Sequence, residues 1–348
     1  MVSKPPYTIT VKAADHLTKI AETVTRLEYG TGFKRDIKLH RKNRVRSIHS
    51  SLAIEGNSLS LDEVTDVVEG KLVAGKQAEV KEVKNAYEAY DKIMTFDPFA
   101  VKDFLRAHKL MTDGLVKESG KFRYGDVGVF DGDVVIHRGA RSQFVPQLIG
   151  ELLEWAKTTE LHPVLRSAIV HYEIETIHPF ADGNGRMGRL WQTLILAKWN
   201  EIFAWIPMES LVYEKRPQYY NALQNAQSLN DSGEFIEFTL SAILDAVEAQ
   251  AKQMNEPPSG TASSKEKLVE EFVENADLFV EKFVDNETQR SILRLLIAQP
   301  TISAKRIAEE VGMSSRGVQK SIDALKKRGM VERIGPAKGG HWLVKRPT

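Results

Sequence analysis

The sequence contains no cysteine. That excludes disulfides, thiolate metal ligation and a cysteine nucleophile, and it suits a reducing compartment. No apolar run approaches the roughly 18 residues a membrane-spanning helix needs. No apolar signal core follows Met1-Val2-Ser3-Lys4-Pro5-Pro6, so the expectation is a cytoplasmic protein with no membrane contact. A Gly-Lys-Ser/Thr phosphate loop is missing, as are internal repeats and low-complexity blocks. A net charge of one sign is also missing: 48 Lys and Arg face 47 Asp and Glu. The balance is uneven along the chain, however. Residues 286–348 hold 13 Lys and Arg against 5 Asp and Glu, which points that end towards a polyanion. At 348 residues the chain can hold two or three domains with a real core.

What is present is mostly helical periodicity. Residues 1–12 look extended, and Leu17, Ile20, Ala21, Val24 and Leu27 then follow helical spacing over 13–28. A basic helix spans about 36–55 and ends Ser51-Leu52-Ala53-Ile54-Glu55-Gly56-Asn57. Glu55 in its last turn has the wrong sign for the helix dipole and, taken alone, reads as a solvated glutamate. Further helices are expected over 61–69, 77–94, 98–115, 145–158, 163–177, 188–199, 213–229 and 235–253. Between them, Asp131-Gly132 separates two β-type runs, Val127-Gly128-Val129-Phe130 and Val134-Val135-Ile136, the pattern of a tight hairpin. Its edge offers a place for an extended peptide. Asn255–Ser264 is rich in Pro, Gly and Ser and reads as a linker, followed by an acidic connector helix over 265–284. Helices over 288–298, 303–310 and 314–328 and two short strands over 329–335 and 341–344 complete the chain.

One stretch concentrates the chemistry: His178-Pro179-Phe180-Ala181-Asp182-Gly183-Asn184-Gly185-Arg186-Met187-Gly188-Arg189. Glycines at a helix N-terminus let backbone N–H groups cradle a phosphate. The incidental Gly-x-Gly-x-x-Gly is no dinucleotide fingerprint, because a helix and a His-Pro-Phe turn precede it where a strand is required. Zinc-ligand spacing is absent around His178. His171, two turns upstream, reads as a packed helix histidine. A lone Asp182 beside a phosphate cradle suits Mg²⁺. A base, a carboxylate and an anion cradle together are what displacement at phosphorus needs.

These twelve residues resemble in full the signature of the Fic family of protein adenylyltransferases, His-Pro-Phe-x-Asp/Glu-Gly-Asn-Gly-Arg-x-x-Arg. The resemblance covers roughly residues 1–250 and implies an all-α fold with a β-hairpin flap, acting on ATP with Mg²⁺. It makes His178 the base for a Ser, Thr or Tyr hydroxyl of a target protein and Asp182 the metal ligand. Gly183, Asn184, Gly185, Arg186 and Arg189 become the phosphate site, and Phe180 an anchor in the core. Tyr219 and Tyr220 resemble the adenine-pocket pair, although Gln227 stands where the family often has Asn. The flap (Val127, Gly128, Val129, Phe130, Val134, Val135, Ile136) would hold the target. Ser51-Leu52-Ala53-Ile54-Glu55-Gly56 resembles the family's N-terminal inhibitory helix, with Glu55 answering Arg189. Transfer of phosphate, as in Doc-like members, or of another nucleotide is the alternative chemistry.

The last 60 residues resemble a winged helix-turn-helix, a small α+β module with Ser314, Ser315, Arg316, Gln319 and Lys320 on its recognition helix. Lys326, Lys327, Arg328, Arg333 and Lys338 are candidate phosphate contacts. The expected organisation is therefore 1–95 N-terminal helices with the inhibitory helix at about 36–57, 96–253 catalytic core, 254–285 linker and connector, and 286–348 winged helix. A target protein, duplex DNA through residues 286–348 and a second copy of the chain are the partners this reading admits. A DNA-binding regulator with a nucleotide-sensing Fic domain is the rival from another functional class.

Overall fold

The computed structural model describes residues 4–30, 36–131, 134–255, 286–298, 302–334 and 341–344. The hairpin turn at Gly132, most of the 255–264 linker, the 265–284 helix and Lys338 lie outside the described residues. The chain divides into two compact units, Met1–Pro257 and Pro258–Thr348.

The first unit is helical. α1 (Val11–Gly30) buries Ala13, Ile20, Val24 and Leu27 along one stripe. α2 (Ile37–Ile54) starts where the Asp36 side chain accepts the Leu39 N–H at 2.9 Å. α3 (Leu61–Val68) begins with a capping box between Ser60 and Glu63. α4 (Gln77–Asp91) and α5 (Val101–Thr112) follow, then the antiparallel hairpin of β1 (Gly128–Asp131) and β2 (Val134–Arg138). α6 (Val145–Thr158) leads to α7 (Pro163–Ile177) and α8 (Asn184–Trp199), which pack on each other at the centre. Both are buried on nearly all sides, as an apolar helix surrounded by others must be. α9 (Met208–Glu214), α10 (Arg216–Leu229) and α11 (Gly233–Asn255) close the unit, with α11 against α1 and α9 against α2.

Three expected elements differ. α8 starts at Asn184 rather than Gly188, because Gly183 at φ +87° turns the chain into the helix four residues earlier. The single helix expected over 213–229 is two, broken at Lys215. Pro217 is the cause: it lacks an N–H and its ring clashes with the carbonyl four residues back. Residues 4–10 form no strand; their polar groups bond instead to the start of α11, Thr8 N–H to Asp231 Oδ1 at 2.9 Å and Ser232 N–H to Pro6 O at 3.1 Å.

In the second unit, α12 (Glu287–Ala298), α13 (Ala304–Val311) and α14 (Ser315–Lys327) pack around Ile292, Leu296, Ile307, Val318, Ile322 and Leu325. β3 (Val331–Ile334) pairs antiparallel with β4 (His341–Val344). Gly312 at φ +69° makes the turn between α13 and α14, and Ser314 caps α14 through Gly317 N–H. Arg316, Gln319, Lys320 and Lys327 lie exposed on α14.

Candidate active site

The motif is the junction of the two central helices. α7 ends at His178, whose φ of +55° is left-handed and therefore strained for a histidine. That conformation stops the helix and turns the imidazole away from its axis. The ring is half-buried, with Nδ1 3.3 Å from Glu175 O. A carbonyl only accepts, so Nδ1 is the donor of that bond, and in the neutral ring Nε2 is then the acceptor.

Phe180 is fully buried, stacked on His108 at 3.6 Å and against Phe104 at 5.2 Å. Asn184 closes the loop on itself: Phe180 N–H donates to its Oδ1 at 2.8 Å, and its Nδ2 donates to Phe180 O at 2.9 Å. The Asn184 side chain is thus occupied, which leaves only its backbone N–H for an anion. The first helical N–H to find an intrahelical acceptor is that of Met187, to Gly183 O at 3.0 Å. The N–H groups of Asn184, Gly185 and Arg186 precede it and have no acceptor within the helix. Gly185 leaves room for Glu55, since a Cβ there would overlap Glu55 Oε1 and push that side chain aside.

The two arginines part company. Arg186 Nη2 bonds Asp182 Oδ1 at 2.9 Å and Nη1 lies 3.4 Å from Glu82 Oε1. Arg189 is buried and turns the other way. Its Nη2 donates to Glu55 Oε1 at 2.7 Å and to Ser51 O at 3.0 Å, and its Nε donates to Ser51 Oγ at 3.1 Å. Burial opposes its charge, but the carboxylates of Glu55 and Glu175 outweigh that and hold its pKa above the ordinary value. Glu55 is the C-terminal cap of α2, so that helix end lies against the first turn of α8.

The two tyrosines differ in exposure, their rings 5.2 Å apart and edge to face. Tyr219 is buried, its hydroxyl between His171 Nε2 (3.2 Å) and Glu175 Oε1 (3.1 Å), whereas Tyr220 is exposed. Of the two rings only Tyr220 is open to solvent, with the Arg216 guanidinium 5.7 Å from its centroid. His171 is a packed histidine, with Nδ1 2.7 Å from Gln192 Oε1. The flap is described by its strand pairing, Val129 opposite His137 and Phe130 opposite Val135, with an irregularity between Val129 and Phe130.

Two residues escaped sequence reasoning. Arg123 is buried and grips main-chain carbonyls: Nε to His178 O at 2.6 Å, Nη1 to Gly125 O at 2.7 Å, and Nη2 to Ala140 O. It ties the base of the flap to His178. Its only signal was its place in Gly120-Lys121-Phe122-Arg123, just before the hairpin. His108 donates from Nε2 to Asp182 O at 3.0 Å, because its Nδ1 accepts Gly120 N–H at 3.0 Å. Burial pushes its pKa down to about 4, with a smaller push from Arg186. In sequence it was simply one more position on the inner face of α5.

Among the described residues no cluster of three or more His, Asp or Glu is arranged for a metal. Mg²⁺ commonly takes one or two carboxylates together with substrate phosphates. Asp182, with its side chain 57% exposed, fits a cation that arrives with a nucleotide.

Comparison with known proteins agrees with this geometry. The Fic/DOC family model matches residues 98–196, across α5 to α8. The chain aligns with the crystal structure of a Fic family protein from Desulfovibrio desulfuricans G20 at 33% identity and a TM-score of 0.72, covering 99% of this chain and 98% of that one. The chain belongs to the Fic family. A winged helix-turn-helix DNA-binding model matches residues 285–332 of this Fic protein. Its curated relatives include the protein adenylyltransferase fic-1 of Caenorhabditis elegans, 27% identical over 61% of this chain and 41% of that protein. Another is the protein adenylyltransferase Fic of Nematostella vectensis, 28% identical over 63% and 51%. The chain thus spans about half, or less, of the length of the curated relatives it matches.

Proposed function

We propose that this Fic protein transfers AMP from ATP to a Ser, Thr or Tyr hydroxyl of a protein segment held along the flap. The reading rests above all on one observation: a histidine in a left-handed conformation, its Nδ1 against the Glu175 carbonyl, stands at the mouth of a glycine-rich helix N-terminus. His178 Nε2 takes the hydroxyl proton as the oxygen attacks the α-phosphorus. The bond from α-phosphorus to the bridging oxygen breaks, and pyrophosphate leaves. The N–H groups of residues 184–186 and the Arg186 guanidinium bind phosphate oxygens, which requires Arg186 to loosen from Asp182. Asp182 would hold Mg²⁺, whose charge offsets that of the phosphates. Tyr220 packs the adenine.

The resting state is inhibited. Glu55 lies against Gly185 and holds Arg189 at 2.7 Å, so a carboxylate fills ground that the terminal phosphate needs. Like charges at that range repel, and ATP then either binds poorly or binds with its α-phosphate misplaced. The test is self-labelling by the wild type, Glu55→Gly and His178→Ala with ATP labelled at the α or the γ position. Retention of α label by Glu55→Gly, absent in His178→Ala, is expected. Retention of γ label alone would mean phosphate transfer, and equal labelling by all three would discard the scheme.

For the second unit we propose duplex DNA binding. The support is the exposed basic face of α14, where Arg316, Gln319, Lys320 and Lys327 share one side. Affinity should fall steeply with salt, with a log–log slope of about −0.9 per phosphate contact. No binding at low salt would assign the module to protein contacts.

A further inference from the structure

Behind the contact between Glu55 and Arg189 lies a carboxylate that the reaction does not use. Glu209, in the first turn of α9, is buried. A buried carboxylate is costly unless hydrogen bonds and an opposite charge answer it. Its Oε1 accepts two hydroxyls, Tyr90 Oη at 2.8 Å and Thr193 Oγ1 at 3.1 Å. Its Oε2 has no hydrogen-bond partner among the described residues.

Tyr90 leads from Glu209 back to the inhibitory helix. Burial pushes its pKa well up and Glu209 adds to that push, while Arg189 and a hydrogen bond with the Ser51 hydroxyl pull the other way. The phenol therefore keeps its proton and gives it to Glu209, which leaves its oxygen to accept from Ser51. Ser51 Oγ in turn accepts Arg189 Nε at 3.1 Å. The donors run one way, from Arg189 to Ser51 to Tyr90 to Glu209. A cation and a carboxylate are thus joined through two hydroxyls, and in a dry interior such bonds strengthen one another. The path crosses α8, α2, α4 and α9. Beside it, Ser50 Oγ lies 3.1 Å from Ser210 Oγ, a second tie between α2 and α9. Ser51 stands four residues before Glu55, one turn back on the same face of α2, and both touch Arg189. Fixing Ser51 therefore fixes the turn that carries Glu55. The Glu55 side chain is 34% exposed, so water competes for it, whereas Ser51, Tyr90 and Glu209 are buried.

We propose that Tyr90 and Glu209 are positioning residues of the inhibitory contact: they hold Ser51, and through it the last turn of α2, so that Glu55 meets Arg189. The inference rests on the adenylylation reading, in which neither residue meets the nucleotide. Loosening the chain frees the end of α2 and shifts the balance towards the uninhibited arrangement.

The test is a double-mutant cycle on the full chain. Tyr90→Phe removes one hydroxyl and keeps the ring. ATP affinity by calorimetry and retention of α label are measured with Glu55 present and in the Glu55→Gly background. With Glu55 present, Tyr90→Phe should raise both about three- to tenfold, the equivalent of one hydrogen bond. In the Glu55→Gly background it should change neither by more than about twofold, the scatter of independent sites, because the group it positions is gone. Ser51→Ala breaks the same link from the other side and should give the same pattern. Thr193→Val takes a hydroxyl from the same carboxylate but leaves the path to Ser51, and should behave as the wild type. No change with Glu55 present, equal changes in both backgrounds, or a gain in Thr193→Val as large as that in Tyr90→Phe overturns the proposal. ATP affinity that follows the expected pattern without retained α label supports the positioning role and discards adenylylation. The two failures are thereby told apart.

Discussion

The two ends of the motif are restrained in opposite ways. At the His178 end the restraints fall on the main chain. Arg123 holds the carbonyl of His178, His108 holds that of Asp182, and Asn184 holds both backbone groups of Phe180. At the Arg189 end the restraint reaches the side chain itself, from a glutamate and a serine more than 130 residues away in sequence. Main-chain restraints release only when the loop unfolds. A carboxylate on a helix end can swing aside with the rest of the fold intact. On the proposed function, the first end would build the reactive geometry and the second would control access to it.

That contrast breaks first at His178. His178→Ala should lower self-labelling in the Glu55→Gly background by about 10²- to 10⁴-fold, the usual range for a general base, in a radiolabel assay at fixed ATP. An undiminished rate would mean that the first end is scaffold only. Glu55→Gly should raise labelling about ten- to a hundredfold, the equivalent of one charge-assisted hydrogen bond of about 1.5–3 kcal/mol. An unchanged rate would remove the gate from the second end. Arg123→Lys keeps the charge and loses the fork that spans several carbonyls. It should cut labelling about tenfold while calorimetric ATP affinity stays as it was; a loss of affinity instead would mean Arg123 shapes the nucleotide site.

The smallest effect is on stability. The neutral form of His108 is the one the fold requires, and its pKa is pushed down to about 4 against an ordinary value near 6.5. Between those values the unfolded chain binds the extra proton, so stability rises with pH through that window. The contribution is fully present above pH 6.5 and is lost as pH falls towards 4, on the order of 3 kcal/mol in all. Thermal melts of wild type and His108→Phe should show that slope in the wild type and a flatter one in the variant. Equal slopes would remove His108 from the set of main-chain restraints.

Much of this was legible in the sequence, and unevenly so. The helices α1, α4, α6 and α7 follow from periodic apolar residues, and the signature around His178 is contiguous, so one reading of the chain finds it. Glu55 became visible only because its own short motif resembles a known inhibitory helix. Nothing local links it to Arg189. Arg123 and His108 stayed hidden for a physical reason: both act on backbone carbonyls, and a carbonyl has no letter in a sequence. The different burial of Tyr219 and Tyr220 was also not legible: consecutive residues on a helix point about 100° apart, and Tyr219 is the one turned into the core.

The contact between Glu55 and Gly185 bears on how such a chain can change by mutation. A side chain at position 185 would overlap Glu55 Oε1, so on the proposed function replacing the glycine would displace the glutamate and crowd the helix N-terminus in one step, whereas replacing Glu55 would free the N-terminus alone. On that reading, constitutively active descendants should be found through changes at Glu55 or Ser51, with Gly185 kept.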